Sequence, residues 1–152
     1  MKYAYFLLCL CIVVVSCNNS GKQEADSNAD TAIAVPAWEA TLNDSTGKME
    51  MNRTIPEGPD SLNVAAVIRY LNSRNTNVQV QFVRQSGDTV FLSIPEATYL
   101  TQQMGSTGPE MFFAESVYNL TEIPGVRFVR YDFEEGDHAQ PGVFTRDSFK
   151  DE

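Results

Sequence analysis

Beyond position 17 the chain has no cysteine, the three it contains being Cys9, Cys11 and Cys17. A structural disulfide, a thiolate nucleophile and a cysteine metal cluster are therefore excluded from residues 18–152. Histidine is nearly as scarce: His138 stands alone, leaving little material for a Ser/His/Asp triad, and no Gly-x-Ser-x-Gly elbow is present to expose a nucleophilic serine. Basic residues are few as well. Lys and Arg number 11 against 20 Asp and Glu, a net charge of -9, and a phosphate backbone needs clustered cations that release its counterions. Nucleic acid is thus not an expected partner. The apolar run from Tyr3 to Val15 also falls short of the ~20 residues that cross a bilayer comfortably.

What is present suffices for one folded domain. A chain of 152 residues, 43% hydrophobic and 11% aromatic, can bury a core. The negative charge is uneven. Residues 18–59 carry seven acids against three bases, residues 60–131 six against five, and residues 132–152 seven against two. A nearly neutral centre between acidic flanks is what a packed body with solvated ends requires.

The N-terminus has the layout of a secretory signal peptide, Lys2 followed by the short hydrophobic stretch. Val14-Val15-Ser16-Cys17 resembles a bacterial lipobox, in which the cysteine is acylated with palmitate-type chains and becomes the new N-terminus after cleavage. Residues 1–16 are then the signal peptide, and Cys17 the lipidation site and membrane anchor. Residues 18–36, small and polar, cannot bury enough apolar area to offset their ordering entropy, so residues 17–36 form the lipidated cysteine and a flexible tether. Asn18 in place of Asp after the cysteine points to the outer membrane, periplasmic or surface-facing, in a Gram-negative envelope. Lys22, Gln23, Glu24 and Asp26 faintly resemble the acidic export tag of Bacteroidota surface lipoproteins.

The folded body is expected over residues 37–146, with an acidic tail at 147–152. Residues 38–42 and 48–52 flank the turn formers Asn43-Asp44-Ser45-Thr46-Gly47 and predict a hairpin. Val64, Val67, Ile68 and Leu71 fall at the spacing of one helical face, with Asn63 or Asp60 as cap. A second hairpin follows from the alternation Val78, Val80, Phe82 and, after Ser86-Gly87-Asp88, Val90, Leu92, Ile94. A long loop over residues 96–107 precedes a helix expected to start at Gly108, where Thr107 and Glu110 have capping-box spacing and Phe113, Val117 and Leu120 make the inner stripe. Pro124-Gly125 stops that helix and a last strand alternates from Val126 to Phe133. The order ββαββαβ predicts an α+β two-layer sandwich, a mostly antiparallel sheet with two helices on one face.

Thr89-Val90-Phe91-Leu92-Ser93 and the phrase Leu120-Thr121-Glu122-Ile123-Pro124-Gly125-Val126-Arg127-Phe128-Val129-Arg130 resemble the GerMN domain of sporulation and spore-germination lipoproteins. The likeness covers residues 88–136 best and 38–87 more loosely. It implies a fold similar to the ring-building motifs of secretion systems and a non-catalytic envelope module for protein interaction or assembly. The family's leucine-rich first helix and Gly-Pro segment are replaced here by Tyr70-Leu71-Asn72-Ser73-Arg74-Asn75, and one copy of the domain is present, so a sporulation role does not carry over.

Candidate chemistry is sparse. His138 sits in Glu134-Glu135-Gly136-Asp137-His138, which suits a solvated acidic turn better than a metal site needing three or four convergent ligands. Gly105-Ser106-Thr107-Gly108 suits helix capping better than an anion cradle. Glu110 and Glu115, five apart on a helix, face different ways and cannot act as a glycosidase pair. Asp30-Thr31-Ala32, Asp60-Ser61-Leu62 and Asp88-Thr89-Val90 look like Bacteroidota O-glycosylation acceptors. The chain is expected to be no enzyme and to use no cofactor and no metal. Its partners are then the membrane, through the lipid, and an envelope protein or a second copy. The alternative is a binding protein for a small ligand or cell-wall saccharide, using Tyr99, Gln102, Gln103 and Met104 of the long loop; a concave pocket lined by those four would favour it.

Acyl chains contribute about 0.8 kcal/mol per buried methylene. Cys17→Ala is accordingly expected to shift gel mobility and to release the protein from the membrane fraction, both read on one immunoblot of fractionated cells.

Overall fold

The computed structural model describes residues 36–55 and 62–150. The expected signal peptide, the Cys17 lipidation site and residues 17–35 of the tether lie outside them, as do Asp60, Ser61 and Thr31. The first hairpin forms where the turn chemistry places it. β1 (Trp38–Leu42) pairs antiparallel with β2 (Met49–Arg53), and the Asn43 carboxamide oxygen accepts the Ser45 and Thr46 N–H groups at 2.9 and 3.1 Å. That bonding fixes the start of the turn.

α1 (Val64–Arg74) begins at Asn63, whose Oδ1 accepts the Ala66 N–H at 2.9 Å, and buries Val67, Ile68 and Leu71 as the spacing demands. After α1 the sequence and the structure diverge. The second hairpin's first strand, expected from Val78, starts only at Gln81 (β3, Gln81–Ser86). Asn72 explains the delay: its side chain donates to the Val80 carbonyl at 3.0 Å and accepts the Val80 N–H at 2.7 Å. Val80 therefore has both backbone groups satisfied by α1 and needs no ladder, while Val78 and Val80 remain buried in the core. Within β3 the register against β4 (Thr89–Ser93) jumps between Phe82 and Arg84, leaving Val83 as a bulge, and all six residues of the strand are exposed. Phe82, expected inside, is 52% exposed.

Residues 96–107 are not a plain loop. A π-helical turn spans Tyr99–Gln103, where the Met104 N–H reaches the Tyr99 carbonyl at 3.1 Å and the Thr101 hydroxyl shares the Ala97 carbonyl with the Thr101 N–H. The chain enters α2 (Thr107–Leu120) already helical, with Ser106 as cap and no side-chain capping bond. The expected Thr107/Glu110 box is therefore not formed, because Thr107 is the first helical residue and Ser106 holds the cap position. Gly108 permits this entry: a Cβ there would lie 2.6 Å from that of Met104.

α2 ends at Leu120 with Thr121 as its cap, and the turn that follows reaches the Pro124-Gly125 break, Gly125 taking φ +84°. The Arg127 and Phe128 N–H groups then both donate to the Asp88 carbonyl, at 2.9 and 3.1 Å, which sets β5 (Phe128–Asp132) beside β4. These two strands run parallel, with Val90 opposite Val129 and Leu92 opposite Tyr131. A helix-containing crossover allows this and a hairpin would not. A further strand, β6 (Gly142–Phe144), absent from the expected ββαββαβ order, pairs antiparallel with β5 to give the sheet order β3-β4-β5-β6. Nor do residues 147–149 form a free tail. A 3-10 helix over Arg146–Phe149 stacks Phe149 on Phe144 at 6.0 Å, and Phe144 stacks on Phe113 of α2 at 5.0 Å.

The α+β class is as the order of elements predicts, but the first hairpin forms its own sheet. α2 lies between. Its Phe113, Val117 and Leu120 stripe packs toward the four-stranded sheet, and the opposite face, Glu115 and Asn119, bonds to β1 and the residue before it. The helix is buried on nearly every side, which requires its polar groups to find protein partners. Asn119 does so completely: Oδ1 accepts the Ala37 and Trp38 N–H groups at 2.7 and 3.1 Å, and Nδ2 donates to the Trp38 and Glu115 carbonyls, each at 2.8 Å. Asn119→Ala orphans two backbone donors and is expected to cost roughly 3 kcal/mol in urea unfolding. Faster hydrogen exchange should be concentrated in β1 and β2 and leave β4 and β5 protected.

Candidate functional site

The loop residues singled out by sequence do not converge. Tyr99 is half-buried against the core, Gln102 and Gln103 point to solvent, and Met104 borders a cavity of about 170 Å³ with Leu71, Arg74, Met111, Phe112 and Glu115. Leu100 and Thr101 between them are buried and fill the turn from within. The loop closes the core under Leu100 and Thr101, and of the four residues Met104 alone lines that cavity.

His138 is exposed, and its backbone N–H donates to the Thr101 carbonyl at 2.9 Å, tying the acidic turn to the π-helical turn. Among the described residues no group of three or more His, Cys, Asp or Glu could hold a metal ion. The Thr89 hydroxyl, in the third acceptor-like motif, bonds Asp88 at 3.4 Å.

The buried carboxylates are engaged. Glu115 accepts the Tyr70 hydroxyl at 2.9 Å and the Ala40 N–H at 3.1 Å, with Arg74 at 3.7 Å. Burial and the Glu115 charge together push the Tyr70 hydroxyl pKa well above the ordinary tyrosine range. Tyr131 is raised too, chiefly by burial, although its bond with Ser116 works the other way. Neither phenol is poised to ionise. Glu122 receives Trp38 Nε1 at 2.7 Å, Arg146 at 2.6 Å and Arg53 at 3.2 Å. Trp38 packs edge-on to Tyr118 at 5.2 Å, with the Arg146 guanidinium over both rings. This cluster joins the first strand, the end of α2 and the last helix.

The surface left open is the outer face of the four-stranded sheet, the side away from α2. Register places Arg84, Phe91, Arg130 and Val143 in one row across all four strands. Thr89 and Phe128 form the row above, and Gln81, Ser93 and Asp132 the row below. The Arg84 guanidinium carbon sits 3.5 Å over the Phe91 ring, Arg127 lies 5.3 Å from the Phe128 ring, and Val143 is 51% exposed. No described element covers this face. Sequence reading missed it because strand alternation tells which residues turn outward, not which of them share a row; only the register does.

Glu122 gives a pH signature for the cluster. Burial opposes its charge, but the bonds from Trp38 and Arg146 and the charges of Arg146 and Arg53 outweigh that and hold its carboxyl below the usual range. A depressed folded pKa contributes stability that is present above the unfolded value near ~4.3 and lost as pH falls through the folded one. Stability measured by urea unfolding should therefore fall with a shallower slope below about pH 4.3 in Glu122→Gln than in the parent. In comparisons with known proteins, no family model, no curated protein and no solved structure matches this chain.

Proposed function

We propose that the chain is a non-catalytic lipoprotein of the cell envelope, anchored through Cys17, whose folded body is a GerMN-like module for protein interaction or assembly at the membrane surface. The observation that carries this reading is the outer sheet face, an uncovered row of Arg, Phe, Arg and Val on an otherwise acidic chain. An exposed valine and a half-buried phenylalanine beside positioned guanidinium groups are what an interface presents before its partner arrives. Use of the buried polar groups in holding the hairpin and the 3-10 helix fits the same reading, since Glu115 and Glu122 are bonded to backbone and arginine groups. The tether supplies reach for the body at the membrane surface. The outer membrane is the proposed location, on the strength of Asn18 after the lipid cysteine.

The alternative, a receptor for a small ligand or saccharide, has less support because Tyr99, Gln102, Gln103 and Met104 point in different directions. A photo-cross-linking residue placed at Val143, compared with one at exposed Thr41 on β1, tests the proposal in the native envelope. Discrete adducts with another envelope protein are expected from position 143 only. If both positions label alike, the sheet face is not an interface.

A further inference from the structure

Arginine on this protein is usually paired. Arg53 and Arg146 bind Glu122, Arg74 binds Glu39 and Glu115, and Arg127 lies 3.6 Å from Asp88. Among the described residues Arg84 and Arg130 have no such carboxylate, although acids outnumber bases by 20 to 11 in the chain. These two flank Phe91 in the cross-strand row, one on β3 and one on β5. Their backbones stand two strand spacings apart, about 10 Å.

The stacking of Arg84 on Phe91 decides what the row can recognise. A guanidinium lying over a ring at 3.5 Å has its π face occupied, while its N–H donors radiate in plane and remain open. The planar fork is then held in place to receive a carboxylate through two parallel bonds. The same contact covers one face of the ring, which makes Phe91 a poor platform for a stacked base or sugar. A continuous phosphate polymer is further disfavoured by the chain's charge of -9. A short acidic segment meets the two cations within the ~8 Å over which charges act at physiological salt, and Asp132 in the row below repels it on that side, which favours a segment lying along the Arg84–Phe91–Arg130 row. Half-exposed Val143, at the end of the row, offers an apolar contact beside the charges.

We propose that the outer sheet face, through Arg84 and Arg130 bracketing Phe91, docks a short acidic polypeptide segment of a partner protein. This rests on the interaction-module reading and specifies its partner. The test titrates the full-length, detergent-solubilised lipoprotein with a fluorescent oligoglutamate peptide, against oligoglutamine, a single-stranded oligonucleotide and phosphatidylglycerol vesicles. Saturable binding to oligoglutamate is expected, weakening about tenfold as salt rises from about 0.05 to about 0.5 M. The double variant Arg84→Gln/Arg130→Gln should bind at least ~10-fold more weakly with an unchanged thermal transition, as loss of two charge-assisted contacts requires. Equal binding of oligoglutamine, the oligonucleotide or the vesicles, or unaltered binding by the double variant, overturns the proposal. So does a concentration-dependent dimer, seen by sedimentation, that the double variant abolishes while the peptide fails to bind; the face would then belong to a second copy. Should the peptide fail while adducts at position 143 persist, only the acidic class is wrong. Loss of both removes the interaction reading itself.

Discussion

Burial of α2 on almost every side is the constraint from which the rest follows. A helix with a single apolar stripe can leave its polar face in water; here Glu115 and Asn119 lie at i and i+4 on the face turned from the sheet, with Glu122 in the turn just past the helix end, and each must be answered by protein. β1 and the residues before it supply the answer, with Ala37, Trp38 and Ala40 donating from the backbone and Trp38 also from its indole. The first hairpin is held against the body mainly by polar bonds and Trp38, since β1 buries only Ala40 fully. The 3-10 helix is fastened by the same carboxylate and by the Phe113, Phe144 and Phe149 stack. The first hairpin and the 3-10 helix are thus coupled to the centre through one helix, and damage to its polar face is transmitted to elements far apart in sequence.

Much of the fold was legible because local chemistry and tertiary packing agree. The Asn43–Gly47 turn, the Asn63 cap, the α1 face and the alternation Val90, Leu92, Ile94 all appear where the residues place them. The failures have a common cause: a side chain or a distant segment satisfies backbone groups that local rules assign to the neighbouring residues. Asn72 takes the ladder bonds of Val80, the π-helical turn feeds α2 from its N-terminal side, and β6 is only three residues long with no pattern of its own. The site was less legible than the fold. Its arginines and aromatics are unremarkable in sequence, being spread from position 84 to 143, and they become one row only through a parallel pairing that short-range patterns cannot specify.

The electrostatics make sense at the same level. An acidic chain that paired all of its guanidinium groups would present a uniformly repulsive surface to another acidic protein. Arg53, Arg74, Arg127 and Arg146 pair with carboxylates of the same chain, and Arg84 and Arg130 in the Phe91 row remain turned outward. A field of one sign with a small island of the other favours orientation over tight adhesion, because mismatched approaches meet like charge.

The bulge at Val83 has a bearing on coexistence at high density. β3 is the outermost strand on its side of the sheet, six residues long and exposed throughout, which would ordinarily make it a template for runaway strand stacking between neighbouring molecules. One extra residue breaks the even spacing of its outward N–H and C=O groups and twists the strand away from flatness, so an incoming strand can match the pattern on one side of Val83 but not on both. Molecules crowded side by side can thereby leave a sheet face open while its border resists polymerisation.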